Sequence, residues 1–248
     1  MGFVSRASVS LPFHREYATD IKMEKNTMAM VPLFKGLSEA QLSSMARAFP
    51  RRHYGPGETI FTEGETAEGF YILLSGRLKI YKLSPEGKEQ ILHIIEAGEP
   101  FAEVALFSET TYPAYAEAIG QSEVMFLSRR AFHQLVREDP SIVMNMLAIL
   151  SQRLKYFTRL VEDLSLKEVP QRLAAYLIFL AQREGSHSVS LGISKGQLAS
   201  LLGTIPETLS RIMAKMAGRG IIEMQGRRIK IADRASLETL AAGEKLLQ

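Results

Sequence analysis

Cysteine and tryptophan are absent from this chain of 248 residues. Without cysteine there is no disulfide, no zinc–thiolate site, no cysteine-held iron–sulfur cluster and no thiol nucleophile. Long apolar runs are missing too: none nears the roughly 20 residues that cross a bilayer. The opening residues lack the apolar core of a signal peptide. Arg6 stands where a myristoylation motif needs Ser or Thr. A cytoplasmic location, with no membrane as partner, is the expectation. No spaced metal-ligand cluster and no ordered nucleophile–base set is legible, so no enzyme is expected.

Charge is present but unevenly spread. Residues 167–248 hold 12 Lys+Arg against 7 Asp+Glu, whereas the remainder is slightly acidic within a total of +3. A basic carboxy-terminal part suits phosphate contact. That part contains ISKGQLASLLGTIPETLSRIMAKMAGRG over 193–220. Two short helical patterns flank Gly203, which permits the tight turn of a helix-turn-helix. In the second helix, Glu207, Ser210 and Arg211 share one face, and Leu209, Ile212 and Met216 point elsewhere. A helix with such a polar edge can enter the major groove. There arginine donates two bonds to guanine and a carboxylate accepts from the cytosine amino group.

Three further regions precede it. Residues 1–27 read as a mobile arm. Residues 28–139 read as a β-rich domain: short apolar runs such as FYILL (70–74), LKIY (78–81) and ILHII (91–95) alternate with glycine turns, which suggests a jelly roll. Ser38 and Gln41 have the spacing of a capping box ahead of it. Residues 140–166 read as one long helix, with Asp139 as N-cap and Pro140 in its first turn. Val143, Leu147, Leu150, Leu154, Phe157, Val161 and Leu164 recur at alternating steps of four and three, the seam of a paired helix. Ile142, Met146 and Ile149 form a second stripe, placed to meet the β-rich domain. Pro170 marks a hinge or a new helix start, and residues 167–248 follow as the DNA-binding domain. A hairpin expected around Gln225-Gly226-Arg227 completes a winged helix-turn-helix. The fold class is α+β.

This order, with FxxGExAxxFYxLxSGxxKIYKLSPEGKE (61–89), GEPFAEVALF (98–107) and LASLLGTIPETLSR (198–211), resembles the cyclic-AMP-receptor/fumarate–nitrate-reduction regulator superfamily over about residues 30–240. The resemblance implies a homodimeric transcription regulator. Its cyclic-nucleotide-binding-like β-roll senses a signal, its long helix dimerises, and its winged helix-turn-helix reads double-stranded DNA. Glu-x-x-Ser-Arg at 207–211 is similar to the reading helix of the fumarate–nitrate branch. That similarity implies TTGA-type palindromic half-sites, with Arg211 on guanine, Glu207 on cytosine and Ser210 on thymine. Lys195, Lys215, Arg227 and Arg228 are the expected phosphate contacts, and RNA polymerase a further partner.

The sensor departs from the superfamily's best-known chemistries. Ala102-Glu103 takes the place of the Gly-Glu turn, and Pro113-Ala114 that of the Arg-Ser pair which holds a cyclic phosphate. Phe157 stands where a hydroxyl would contact adenine. Cyclic AMP is therefore not the expected ligand, and an apolar cavity between roll and long helix is. GxxKIYKLSPEG (76–87), FAEVALF (101–107) and LSLK (164–167) resemble the cysteine-free, haem-based nitric oxide regulators. The resemblance implies haem, nitric oxide as signal, and control of nitrosative-stress or nitrogen-oxide metabolism genes. Haem iron needs an axial ligand. His93, in ILHII, is the first candidate, and His14, in the arm, the second. The alternatives are the same regulator with another apolar effector, or a haem or small-molecule binding module without DNA function.

Overall fold

The computed structural model describes residues 28–29, 31–107 and 111–243. The expected mobile arm 1–27, with His14, lies outside them. A 3-10 turn at Pro32–Phe34 leads into helix α1 (Glu39–Ala48). Ser38 and Gln41 close both halves of the capping box.

Eight strands then form two facing antiparallel sheets. They are β1 (Arg51–Tyr54), β2 (Thr59–Phe61), β3 (Gly69–Ser75), β4 (Arg77–Leu83), β5 (Glu89–Glu96), β6 (Pro100–Phe101), β7 (Tyr115–Ala118) and β8 (Ser122–Ser128), with the short helix α2 (Val104–Phe107) after β6. One sheet runs β1-β8-β3-β6 and the other β2-β7-β4-β5. Alternation within each strand sends one set of side chains between the sheets. Phe61, Tyr71, Phe101 and Tyr112 stack there, with Phe61 and Tyr112 ring centroids 4.0 Å apart. The opposite face of the first sheet, carrying Phe70, Ile72 and Leu127, is covered by α1, by helix α3 (Arg129–Glu138) and by the start of helix α4 (Ser141–Leu166).

At the start of α4, Pro140 is already helical, and the Asp139 carboxylate accepts from the Ser141 N–H at 3.0 Å. Ile142 and Met146 are buried against the roll, with Ile149 and Leu150 packed beside them. The seven seam residues do not share one environment. Leu147, Leu154 and Val161 are 51%, 69% and 64% exposed, while Leu150 and Phe157 are partly covered by the roll's own side. In the single chain, Leu147, Leu154 and Val161 thus form an open stripe, and Leu150 and Phe157 lie towards the roll.

Helix α5 (Val169–Glu184) begins with Pro170 in its first turn, where the missing N–H does no harm. Strand β9 (Ser188–Ser190), helices α6 (Lys195–Leu201) and α7 (Pro206–Gly218), strands β10 (Ile222–Gln225) and β11 (Arg228–Ile231), and helix α8 (Arg234–Ala241) follow. The hairpin turns at Gln225–Arg228, and β9 adds a third strand to the wing beside β11. That strand is a finding the sequence did not suggest, since SVS is too short and polar to signal one. The architecture is α+β: a double-sheet roll, one long helix and a winged helix-turn-helix.

Candidate nucleic-acid interface and effector pocket

The reading helix is held from below. Leu209, Met213 and Met216 are buried in the core of the DNA-binding domain, and their spacing turns Glu207, Ser210 and Arg211 out to solvent. Gly203 has φ +65°, and its turn is closed by the Thr204 N–H donating to the Ala199 carbonyl. A side chain there would be strained and would meet Leu164 of α4 at 2.9 Å. Ser194 and Gln197 cap α6 reciprocally. The Arg211 guanidinium donates to Thr208 Oγ1, one turn back, at 3.1 Å. Glu207 lies in the first turn of α7, where helix N–H groups favour a carboxylate. Lys195, Lys215, Arg227 and Arg228 are exposed on the same domain, at the α6 start, along α7 and in the wing.

The domain does not hang free. Tyr81 and Ile91, on the outer face of β4 and β5, belong to its hydrophobic core. Ser200 of α6 accepts from the Ile91 N–H (2.9 Å) and donates to the Glu89 carbonyl (3.0 Å). Gln90 donates to the Ser200 carbonyl at 2.8 Å. Arg77 donates to the Gly192 carbonyl at 2.7 Å, where a β-carbon on residue 192 would collide with the guanidinium. Arg77 and Arg183 share Glu96, at 3.3 and 2.8 Å.

The sensor residues are placed differently from the sequence expectation. Ala102 has φ +63°, a backbone state that costs a β-carbon about 1–2 kcal/mol, and it turns Glu103 inward. Glu103 is buried, and Arg153 of α4 donates to it at 2.5 Å and to the Pro100 carbonyl at 2.8 Å. Burial pushes the Glu103 carboxyl up, and the Arg153 charge opposes that rise. Pro113 is exposed, and its carbonyl accepts from Lys82 at 3.0 Å. Ala114 is buried.

His93 faces α4 instead. Its ring lies edge-on to Tyr156 (4.7 Å) and Phe157 (6.4 Å), with Nε2 3.3 Å from Glu99. Burial pushes the Glu99 carboxyl up, but the His93 contact and the Arg153 charge carry it below its ordinary value. The imidazole lines an 840 Å³ cavity between β5, α4, α5 and α6. Ala102, Glu103, Pro113, Ala114 and Phe157 do not line it. The expectation of one apolar cavity joining all six residues is thus corrected. Arg153, one turn before Phe157, fills the roll-side position with a buried ion pair. Sequence reasoning passed over Arg153, Tyr156 and Arg159. The available signal was polar spacing on α4 opposite the seam.

Two family models match the chain: a cyclic nucleotide-binding domain over residues 51–139 and a Crp-like helix-turn-helix domain over residues 171–240. The "Cyclic AMP receptor protein" of Thermus thermophilus is 30% identical over 212 residues, which is 86% of this chain and 97% of that protein. The "CRP-like cAMP-activated global transcriptional regulator" of Mycobacterium tuberculosis is 28% identical over 211 residues, 83% of this chain and 94% of the relative. Among solved structures, FixK2 from Bradyrhizobium japonicum aligns with a TM-score of 0.70 at 26% identity, covering 80% of this chain and all of that one (100%). A CooA variant from Carboxydothermus hydrogenoformans aligns with a TM-score of 0.72 at 24% identity, 86% and 95% covered, and speaks for the fold alone.

Proposed function

Because this chain belongs to the Crp/Fnr family of DNA-binding transcription regulators with a ligand-binding domain, we propose that it acts as a homodimer switched by an effector at the roll–helix junction. The carrying observation is the exposed stripe Leu147, Leu154 and Val161 on a helix whose other side is finished by its own roll. Two copies joined along that stripe would present two α7 helices to consecutive major grooves, about 34 Å apart. Glu207, Ser210 and Arg211 read the bases of TTGA-type half-sites, and Lys195, Lys215, Arg227 and Arg228 meet phosphates. The effector works by unequal affinity for two placements of the DNA-binding domain on β5. A gel shift with a TTGA-palindromic duplex at moderate salt tests this. Retention that a scrambled duplex competes away equally well removes the reading.

Haem with nitric oxide as signal is a second reading, favoured by one observation. The His93 imidazole lines the 840 Å³ cavity, and a histidine side chain is a common axial ligand to haem iron. Of the sequence-derived set only His93 stands on this wall, since Glu103 is bound by Arg153 and Phe157 lies outside it. When bound, haem would supply an iron centre for a diatomic gas. His93 would hold it and Glu99 would orient the ring. Reconstitution with haem should give a Soret band that moves on nitric oxide addition and is lost in His93→Ala. A spectrum identical in the two proteins rules this ligand out.

A further inference from the structure

The 840 Å³ cavity is within the size range of small-molecule sites, and its wall is built for more than an apolar guest. Most of its charges close among themselves: Arg77 and Arg183 on Glu96, Lys167 on Asp163, His93 on Glu99. Lys155 and Arg159 of α4 line it with no carboxylate partner among the described residues, against one unpaired wall carboxylate, Glu162. The His93 and Arg172 side chains complete the polar part of the wall. Apolar surface comes from Leu160 and Leu202.

We infer that this cavity binds a small amphipathic anion. The acidic head sits between Lys155 and Arg159, and the apolar body lies on Leu160 and Leu202. Helical rotation turns the site away from the dimer stripe: at about 100° per residue, positions 152, 156, 159 and 163 lie close to half a turn from Leu154, and Lys155 just over a quarter turn. The ligand would touch α4 and the DNA-binding domain at once, so its binding would alter how that domain docks. This last step rests on the regulator reading above.

Anilinonaphthalene sulfonate, a flat apolar body with one anionic group, is a suitable probe. Fluorescence titration of the full chain should give one saturable site per protomer. Losing both charge-assisted contacts in Lys155→Ala/Arg159→Ala should weaken it at least about tenfold, with Arg159→Lys largely restoring it. Unchanged affinity in the double variant, or equal affinity for neutral phenylnaphthylamine, overturns the inference. Displacement by haemin would identify the occupant as the macrocycle, and no displacement a smaller free anion. An operator gel shift run beside it separates the two readings. Operator retention without charge-dependent probe binding sinks the site alone, and probe binding without operator retention sinks the regulator alone.

Discussion

The two sides of α4 are built for different neighbours. On one side Ile142 and Met146 are each 1% exposed, Arg153 reaches Glu103 and the Pro100 carbonyl, and the Tyr156 hydroxyl donates to the Leu92 carbonyl at 3.2 Å. On the other, Leu147, Leu154 and Val161 face solvent at a spacing of seven. A single chain satisfies the first side with both apolar packing and hydrogen bonds. The second offers apolar surface alone, which is what a second copy of the same helix can cover. The difference teaches that polar contacts register α4 on its own roll, while the open stripe sets only the partner.

The sharpest way to break this contrast is Leu154→Glu. An uncompensated charge in a closed interface costs about 3–5 kcal/mol, and a symmetric pair brings two. Sedimentation should then show monomer at micromolar concentration, with unfolding of the isolated chain little changed. An intact dimer would mean that the open stripe is not the interface.

Arg153→Ala strikes the opposite side and should lower monomer stability by about 3 kcal/mol at neutral pH, because Glu103 is left buried and unpaired. The sign with pH follows from the raised Glu103 carboxyl. Its folded form binds a proton more readily than the unfolded one, whose value is near 4.3. Stability conferred by the protonated acid is therefore present at low pH and lost as pH rises through the folded value. The variant should recover part of its deficit between neutral and mildly acidic pH. Denaturant melts at both would show this, and a pH-independent deficit would contradict it.

What could be read from the sequence divides along a similar line. The Ser38–Gln41 box, the left-handed Gly203, the helix start at Pro170 and the hairpin at residues 225–228 are short-range backbone chemistry, carried by neighbouring residues. The reading face of α7 followed from helical spacing. The sensor pocket did not. Glu103 and Arg153 are 50 positions apart, and Gln90 and Ser200 110 apart. Nothing local distinguishes an arginine that folds inward from one that stays in water. For the seven seam positions, likewise, periodicity gives direction around a helix but not the distance to a neighbour.

Arg211→Ala moves the contrast to DNA, where the seam and the reading face act together. Removing a bidentate guanine contact should cost about 1–3 kcal/mol on the matched half-site and leave scrambled DNA nearly unaffected. Thr208→Val, which removes the hydroxyl that Arg211 donates to, should have a smaller effect in the same direction. Competition gel shifts at one salt concentration measure both. Equal losses on matched and scrambled duplexes would demote Arg211 to a phosphate contact.

The smallest effect is expected where α4 begins. Asp139 is held below its ordinary carboxylate range by the Ser141 hydroxyl and N–H, and it lies at the surface. A depressed folded value means that its contribution is present at neutral pH and disappears as pH falls through that value, below about 3.9. Asparagine keeps the capping oxygen but cannot titrate. Asp139→Asn should therefore sit close to the wild type near pH 3 and slightly below it at neutral pH. A gap of constant size would show that the cap acts through geometry alone, and that the roll, rather than the charge at its first turn, sets where the long helix starts.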